Sequence, residues 1–288
     1  MKEITFYKMV AAGNDFVVVD NRKQVVCDPV SFAREVCSRH TGVGGDGVLL
    51  LEPPHPRPSP LKGEGKGEGV DYKLRILNAD GSEAEACGNG FRCAALLAKE
   101  KLGLSRKQSF ETPSGRIEAE VKQNRRVRVR LGDPADFKDR EKIEVNGRTL
   151  HYYSIRMGVP HVVIFVEGLA NVSVQEVGRE IRFDKRFQPA GTNVNFVEMT
   201  GPRSLGVRTY ERGVERETLA CGTGSAASAI VSVKVGYAEP PVQIQTQGGE
   251  ILTVDFKKND EKIKDVYLEG EARLVFEGKW PPKGPGPF

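Results

Sequence analysis

The chain has 288 residues, a length that suits two domains of ordinary size, each long enough to bury a core. Its 43 basic and 39 acidic side chains are mixed along the sequence, which argues against the basic stripe of a nucleic-acid-binding protein. The N-terminus lacks the apolar core of a signal peptide, and no apolar run approaches the roughly 18 residues of a membrane span, so we expect a cytoplasmic protein whose five cysteines are thiols.

The first part of the chain predicts a helix at Pro29–His40, followed by the glycine-rich segment Thr41–Gly47. This segment lacks the Lys-Ser/Thr pair of a phosphate loop, so a tight turn into a strand at Val48–Glu52 is predicted instead. Residues 53–69 are rich in proline and glycine and have almost no apolar side chains. We expect a disordered surface insertion there; the alternative is a polyproline ligand for a partner domain.

Two nearly identical segments, Ala86–Gly90 (Ala-Cys-Gly-Asn-Gly) and Ala220–Gly224 (Ala-Cys-Gly-Thr-Gly), each open an apolar stretch that predicts a helix. The distance from the cysteine to a threonine-led turn, at Thr112 and at Thr246, is 25 residues in both halves. A strand-like run precedes each cysteine, at Tyr72–Leu77 and 205–210. The spacing therefore predicts one structural unit written twice.

A hairpin of alternating apolar and polar residues follows each predicted helix, within 109–131 and within 242–268. Strands dominate both halves, with roughly one long helix in each, so the fold class is predicted to be α+β. We expect an N-terminal repeat at 1–133 and a C-terminal repeat at 134–268. Residues 269–288 are expected to supply a terminal strand that could return to the first domain, followed by a frayed tail.

Two equivalent cysteines imply a site with a thiol on each side. A helix start that contains glycines leaves backbone N–H groups to hold an anion, and the same end of the helix dipole lowers a thiol pKa. If Cys87 and Cys221 faced one cleft, a small carbon acid between them could lose a proton to one sulfur and gain one from the other. With each sulfur about 3–3.5 Å from the reacting atoms, inversion of that carbon would need neither a metal nor an organic cofactor.

The two cysteine motifs occur together with further short motifs that are specific in combination: Lys8-Met9, Gly13-Asn-Asp-Phe16, Asn78-Ala-Asp-Gly-Ser-Glu-Ala-Glu85, Gly191-Thr-Asn-Val-Asn195 and Tyr210-Glu-Arg-Gly213. In these motifs the chain resembles the diaminopimelate epimerases from about Ile4 to Trp280, apart from the insertion. The resemblance implies a cofactor-independent enzyme that interconverts LL- and meso-diaminopimelate for lysine and peptidoglycan synthesis. It also implies two pseudo-twofold domains, each a curved mixed sheet wrapped around a central helix, and a homodimer whose only other partner is the small-molecule substrate.

Carried over position by position, Cys87 and Cys221 resemble the acid–base pair of that family, with Cys221 as the proton acceptor in the LL-to-meso direction. The loop positions that resemble the holders of the reacting carboxylate are Gly88, Asn89, Gly222 and Thr223. Four residues resemble the groups that bind the distant end of the substrate: Asn14, Asn78, Asn193 and Arg212. His161 and Glu211 resemble polar residues that flank the site, and Glu211 also resembles a substrate-binding residue.

Two positions depart from the pattern of the family. Val159 stands where an Asn is common, and Gly47 stands where a Gln is common. Each departure removes a hydrogen-bonding side chain near the expected distal pocket, so it puts the list of binding residues in doubt more than the reaction.

The remaining cysteines and histidines are interpreted as structural. Cys27, Cys37 and Cys93 have spacings that match neither a zinc site nor a redox motif, and His40, His55 and His151 carry no functional pattern. A lone Cys at a helix start is more often a small buried hydrophobe than a catalyst, and only the matched pair reverses that interpretation. Two alternatives stay open: a racemase for another amino acid, such as proline or histidine, and a thiol–disulfide redox protein.

Overall fold

The computed structural model describes residues 3–54, 69–259 and 262–281. Most of the expected insertion, residues 55–68, and the end of the expected tail lie outside the described residues. The strands are β1 (Ile4–Ala11), β2 (Asn14–Asp20), β3 (Gly47–Glu52), β4 (Tyr72–Asn78), β5 (Glu83–Ala84), β6 (Lys107–Thr112), β7 (Gly115–Val121), β8 (Arg126–Arg130), β9 (Ala135–Val145), β10 (Arg148–Met157), β11 (Val159–Phe165), β12 (Asn193–Gly201), β13 (Ser204–Glu211), β14 (Arg216–Thr218), β15 (Val242–Thr246), β16 (Ile251–Asn259), β17 (Lys262–Glu271) and β18 (Arg273–Trp280). The α-helices are α1 (Pro29–Val36), α2 (Gly88–Lys101), α3 (Val174–Phe183) and α4 (Gly222–Lys234).

The described residues form two compact units. One contains the described part of Met1–Val129 and Glu271–Phe288, and the other is Arg130–Gly270. The last strand, β18, belongs to the N-terminal unit because it pairs antiparallel with β1. We retain, as a proposal, the domain bounds expected from the sequence, 1–133 and 134–268.

In the N-terminal unit the paired strands run in the order β18, β1, β2, β3, β4, β6, β7 and β8, with β5 also beside β4. The β2–β3 and β4–β6 pairs are parallel and the others antiparallel. The central helix α2 packs against β1, β2, β3, β7 and β18, and its residues 89–98 are all buried. A helix buried on every side must be surrounded by other elements, which is the environment that this sheet supplies.

The C-terminal unit repeats the same scheme in the order β9, β10, β11, β12, β13, β15, β16 and β17, with β14 also beside β13. Its parallel pairs, β11–β12 and β13–β15, occupy the same places in the order. The central helix α4 packs against β10, β11, β12, β13, β15 and β16. The predicted α+β class of mixed sheets around a central helix is therefore confirmed.

Both central helices begin and end in the same way. A cysteine caps the N-terminus of each, and a glycine with positive φ, Gly103 or Gly236, follows the C-terminal cap residue. Glycine adopts this left-handed conformation without the steric penalty of a Cβ, so it stops a helix efficiently. The sequence therefore determines both ends of the two helices locally. Within the described ranges, no helix is long and apolar enough to cross a membrane.

The first helix is shorter than predicted. Asp28 caps α1 and Pro29 stands at its first position, but the helix ends at Val36 rather than at His40. The chain turns there because the N–H of Gly44 donates to the carbonyl of Val36 at 2.9 Å, and the next N–H groups, of residues 45 and 46, donate to the carbonyls of residues 37 and 15. These amides are used within the protein, so the glycine-rich segment is a tight turn into β3 and not a phosphate loop.

Candidate active site

Cys87 and Cys221 occupy the N-cap positions of α2 and α4 with extended backbone conformations. Their sulfurs accept hydrogen bonds from the backbone N–H groups of Gly90 and Gly224, respectively, each with an N–S distance of 3.4 Å. In both units a thiol therefore lies at the positive end of a central helix, where first-turn N–H groups have no partner within the helix. This arrangement favours an anion at each cysteine.

The glycine three residues after each cysteine is closely packed. A Cβ on Gly224 would lie 2.3 Å from Asn195 Oδ1 and 3.2 Å from Cys221 Sγ. A Cβ on Gly90 would lie 3.1 Å from Leu49 Cδ2 and 3.7 Å from the sulfur of the N-terminal site. The turn at α4 is thus tighter than the turn at α2, and its neighbour is a polar amide rather than an alkyl group.

Two of the predicted binding residues, Asn14 and Asn89, meet in the N-terminal unit. Asn89 Nδ2 donates to Asn14 Oδ1 at 2.7 Å, and Asn14 Nδ2 donates to Asp46 Oδ2 at 3.0 Å. On its other side, Asn89 Oδ1 accepts a 2.7 Å hydrogen bond from Arg92, and Arg92 also donates to the carbonyl of Gly88 at 3.4 Å. A hydrogen-bonded chain therefore runs from α2 to the start of β2.

Arg92 was missed by the sequence analysis. It is fully buried, and besides these two bonds it donates to the carbonyl of Glu271 in the strand segment that joins the N-terminal unit. Burying a guanidinium is costly unless its donors are satisfied. The signal that could have revealed it is a lone arginine in an otherwise apolar helix stretch, one turn after the first helical residue.

A cluster of charges supports this end of β2. Arg39 donates to both Asp15 and Asp46, with N–O distances of 2.8 Å, and Lys8 donates to Asp15 at 2.7 Å. Burial by itself raises the pKa of Asp15, but the hydrogen bonds from Arg39 and Lys8 outweigh it and hold this pKa at about 2. Asp15 is thus a fixed anion near neutral pH, and Asp46 aligns the amide of Asn14.

Asn78 lies at the end of β4, opposite Gly47 at the start of β3. Its amide donates to Ser82 Oγ at 2.9 Å, within the turn that follows β4. A Cβ on Gly47 would lie 2.4 Å from the carbonyl oxygen of Leu77. The departure at Gly47 is therefore accompanied by a close approach of two backbones that a larger residue would prevent.

In the C-terminal unit, Asn193 positions the backbone of Arg212. Its Oδ1 accepts from the N–H of Arg212 at 2.8 Å, while its Nδ2 donates to the carbonyl of Pro160 at 3.3 Å. The guanidinium of Arg212 donates to the carbonyl of Ala190 at 2.8 Å. The two predicted residues are thus joined directly, at the edge of the sheet where β11 and β12 begin.

Glu211 and Thr223, two further predicted residues, each have a polar neighbour within the C-terminal unit. Glu211 accepts a 2.9 Å hydrogen bond from Thr218 Oγ1, and burial raises the pKa of Glu211. Thr223 Oγ1 lies 3.6 Å from Cys221 Sγ, within the first turn of α4. Gly222, the first residue of that turn, lies close to β17, since a Cβ there would lie 2.9 Å from Leu268 Cδ2.

His161 is almost completely buried on β11. Its Nδ1 lies 3.3 Å from Asn195 Nδ2, and its Nε2 has no hydrogen-bond partner within the described part of the chain. Burial, and then the positive charge of Arg212, lower the pKa of His161 to about 3, so the ring is neutral near neutral pH. Asn195 and its partner Thr209 are not among the predicted site residues, although Asn195 ends the motif Gly191–Asn195.

The other cysteines have environments of their own. Cys93 and Cys37 are buried, and burial raises the pKa of Cys37 to about 11. Cys27 is exposed. Among the residues that the structure describes, no group of three or more His, Cys, Asp or Glu side chains lies close enough to hold a metal ion.

The family model and the relatives found by sequence name the same family. A family model described as diaminopimelate epimerase matches residues 6–136 and 153–275. The chain is 45% identical to a diaminopimelate epimerase of Aquifex aeolicus (strain VF5) over 286 residues, covering 95% of this chain and 96% of the relative. It is 38% identical to one from Chlorobaculum tepidum over 274 residues, covering 94% of this chain and 98% of the relative.

Solved structures share the fold at lower identity. A PhzF-family phenazine biosynthesis protein of Bacillus anthracis has a TM-score of 0.69 and 18% identity, covering 98% of this chain and all of its own. A hydroxyproline epimerase from Agrobacterium vitis has a TM-score of 0.67 and 15% identity, covering 96% of this chain and 92% of its own. At this identity the likeness concerns the fold alone.

Proposed function

Because this chain belongs to the diaminopimelate epimerase family, whose members are isomerases, we propose that it inverts one α-carbon of diaminopimelate with Cys87 and Cys221 as a two-base pair. The observation that carries the proposal is the matched environment of the two thiols. Each caps a buried central helix and accepts one N–H hydrogen bond from the glycine three residues later. Cysteines with only a structural role would not need the same helix-capping geometry in both units.

The proposed reaction balances without a cofactor. A thiolate takes the α-proton, so that a C–H bond breaks and an S–H bond forms, and the electron pair stays on the carbon and its carboxylate. The opposite thiol then gives its proton to the other face of the carbon and becomes a thiolate. The enzyme ends with the two protonation states exchanged, which suits the reverse direction. In the LL-to-meso direction we propose Cys221 as the acceptor and Cys87 as the donor.

Stabilisation of the carbanion is the main energetic demand on such a site. We propose that the first-turn N–H groups at Gly88 and Asn89, and at Gly222 and Thr223, hold the carboxylate next to the reacting carbon. Preorganised N–H donors are most effective where negative charge develops, because they need no reorganisation during the reaction.

We propose that Asn14, Asn78, Asn193 and Arg212 read the distant amino-acid end of the substrate, with His161 and Glu211 flanking the site. Arg212 is the natural partner for a second carboxylate, because a guanidinium binds a carboxylate in a bidentate manner. The hydrogen bonds of Asn193 and Ala190 to Arg212 support this role, since they hold its backbone and part of its guanidinium in one position. With a neutral His161 nearby, the positive charge of Arg212 is not duplicated.

We also propose that the protein acts in lysine and peptidoglycan synthesis, that it is cytoplasmic and that it assembles as a homodimer. These proposals are drawn from the resemblance of the whole chain to the diaminopimelate epimerases.

The test is turnover of LL-diaminopimelate in deuterated buffer without pyridoxal phosphate. We expect conversion to the meso isomer with one solvent deuteron at the inverted α-carbon, measured by NMR and mass spectrometry. Proline and histidine serve as competing substrates in parallel reactions. Inversion without solvent exchange would contradict the two-base mechanism, and preferred turnover of proline or histidine would replace the proposed substrate.

A further inference from the structure

A chain of three buried polar side chains crosses the sheet of the C-terminal unit beneath the start of α4. It consists of His161 on β11, Asn195 on β12 and Thr209 on β13, which are exposed by 1%, 0% and 3%, respectively. Asn195 is the central member: its Oδ1 accepts from Thr209 Oγ1 at 2.9 Å, and its Nδ2 lies 3.3 Å from His161 Nδ1. Buried polar groups are costly unless they are paired, so this chain calls for an explanation.

The orientation of the Asn195 amide follows from a third contact. The same Nδ2 donates to the backbone carbonyl of Val162 at 2.8 Å. A carbonyl oxygen can only accept, so the amide atom facing it must be the nitrogen, and the oxygen must face Thr209. The second N–H of Asn195 therefore points to His161 Nδ1.

The tautomer of His161 follows in turn. Because Nδ1 faces a donor, it must carry its lone pair, and the single proton of the neutral ring must be on Nε2. This Nε2–H is buried and has no partner within the described part of the chain. The low pKa of His161 agrees with a ring that keeps one proton near neutral pH.

The equivalent positions of the N-terminal unit show that the fold does not need these polar groups. The strand pairings make Phe16, Leu49 and Ile76 the counterparts of His161, Asn195 and Thr209. All three counterparts lie in the apolar core against α2. The same scaffold is therefore stable with hydrocarbon at these positions, and the polar chain is specific to the unit that holds Cys221.

Asn195 also contacts the cysteine turn. Its Oδ1 faces Gly224 so closely that a Cβ there would lie 2.3 Å away, and the N–H of Gly224 donates to Cys221 Sγ. One amide group thus contacts both the ring of His161 and the glycine that holds the thiol.

From this geometry we propose that Asn195 and Thr209 are positioning residues that hold His161 as the neutral Nε2–H tautomer, so that the ring keeps one buried hydrogen-bond donor available for the reaction in the unit that carries Cys221. The inference rests on the proposed epimerase function for the role of the donor, but not for the tautomer itself. Thr209 acts indirectly: its hydroxyl donates a hydrogen bond to the oxygen of Asn195 and so directs the amide nitrogen to the ring.

The tautomer can be measured directly, because the chain has only four histidines. In protein labelled with ¹⁵N-histidine, long-range ¹H–¹⁵N spectra at neutral pH distinguish a protonated from an unprotonated ring nitrogen, and His161→Gln assigns the signals. We expect Nδ1 of His161 to be unprotonated and Nε2 to be protonated in the wild type, without substrate. The opposite tautomer, or a charged ring, would overturn the proposal.

Variants test the positioning residues. Asn195→Asp replaces the donor to Nδ1 by an acceptor, so we expect the ring proton to move to Nδ1. Thr209→Val removes the hydroxyl with little change of shape, and we expect a mixture of tautomers and a fall in kcat of about 10- to 100-fold with a smaller change in KM. Thr209→Ser keeps the hydroxyl and should restore the wild-type tautomer and most of kcat.

Ser228→Ala is the matched control, because Ser228 is also buried in this unit, donates only to the carbonyl of Gly224 in its own helix, and has Ala94 as its counterpart in α2. It should leave both the tautomer and kcat unchanged. A Thr209→Val variant with the wild-type tautomer and wild-type kcat would overturn the proposal even if Asn195→Asp failed to fold. A wild type that lacks epimerase activity would contradict the proposed function, whereas the ring tautomer would still decide the assignment of Asn195 and Thr209.

Discussion

The two halves of this chain hold their thiols in the same way but surround them differently. In the N-terminal unit the residues under the central helix are apolar, and the polar groups form a chain from the helix itself to the start of β2, through Arg92, Asn89 and Asn14. In the C-terminal unit the polar groups lie under the helix, through His161, Asn195 and Thr209. The repeat thus supplies a common position for two cysteines, and the differences around them make the two sides of the proposed reaction chemically distinct.

The largest expected effect is the loss of either thiol. We expect Cys87→Ala and Cys221→Ala each to lower kcat by about 10²- to 10⁴-fold or more, because inversion needs a base on one face of the carbon and an acid on the other. Steady-state epimerisation of LL-diaminopimelate measures this.

Cys93→Ala is the matched control for the cysteine variants. Cys93 is buried in α2, and its counterpart in α4 is Ala227, so the smaller side chain is tolerated at this place in the repeat. The control should keep nearly full activity. Substantial turnover by a protein with only one of the two N-cap thiols would show that the repeat is structural rather than catalytic.

A smaller but still large effect is expected at Arg212, for which the N-terminal unit has no equivalent charge: Asn78 stands the same nine residues before Cys87. Loss of a charge-assisted contact to a carboxylate costs about 1.5–3 kcal/mol. We expect Arg212→Ala to lower kcat/KM for diaminopimelate at least about tenfold and to discriminate less against amino acids with one carboxylate.

The exposed Arg216, four residues further on, provides the control, and Arg216→Ala should keep the kcat/KM of the wild type. Unchanged kcat/KM in Arg212→Ala would remove this residue from the distal pocket and favour a racemase for another amino acid.

The two glycines that hold the sulfurs sharpen the comparison further. Gly224→Ala places a Cβ 2.3 Å from Asn195 Oδ1, in an amide held by three hydrogen bonds, whereas Gly90→Ala meets only the end of Leu49 at 3.1 Å. We therefore expect Gly224→Ala to lower the free energy of unfolding by about 1–3 kcal/mol and Gly90→Ala to lower it by less. Urea unfolding measures both, and equal losses would mean that the polar chain yields as easily as the apolar core.

The charge cluster of the N-terminal unit predicts a difference in acid stability. Asp15 has a folded pKa of about 2, below its ordinary value, so its contribution to stability is present above about pH 4 and is lost as the pH falls toward 2. Asp15→Asn should therefore lower the free energy of unfolding by about 1–2 kcal/mol at pH 7, with a smaller difference at pH 3.

The C-terminal counterpart of Asp15 is Pro160, so this pH dependence belongs to one unit only. The exposed Asp139 serves as the control, and Asp139→Asn should change stability little at either pH. An Asp15→Asn protein that is equally destabilised at pH 3 and pH 7 would mean that the loss is steric rather than electrostatic.

The smallest effect is expected from the connection between β3 and β4. Its counterpart in the C-terminal unit, between β12 and β13, is a tight turn that pairs Gly201 with Ser204. Deleting residues 54–69 leaves three residues between Glu52 and Tyr72, enough to join two strands that pair antiparallel. We expect activity within a few-fold of the wild type and a nearly unchanged melting temperature; loss of folding or of oligomeric state would show that the segment has a structural partner.

The helix starts and the repeated scheme can be predicted from the sequence, because they depend on residues that are close together in the chain. The two Ala-Cys-Gly-x-Gly motifs predict helix starts at Cys87 and Cys221, and the structure confirms them. Alternating strands and equal spacings predict the repeated α+β scheme, which is also confirmed. The end of α1 was misplaced by four residues, because a contact between Gly44 and Val36 across the turn decides it.

The sequence by itself therefore determined where the thiols lie on the helices, since capping residues, glycines and apolar periodicity act within a few residues of each other. Only the tertiary structure decided what the polar side chains do. Asn14 and Asn89 are 75 residues apart, and His161 and Asn195 are 34 apart, so their contacts depend on strand order and register. Whether a buried amide is a cost or a positioning device depends on the partners that the fold brings to it, and no local pattern specifies those partners.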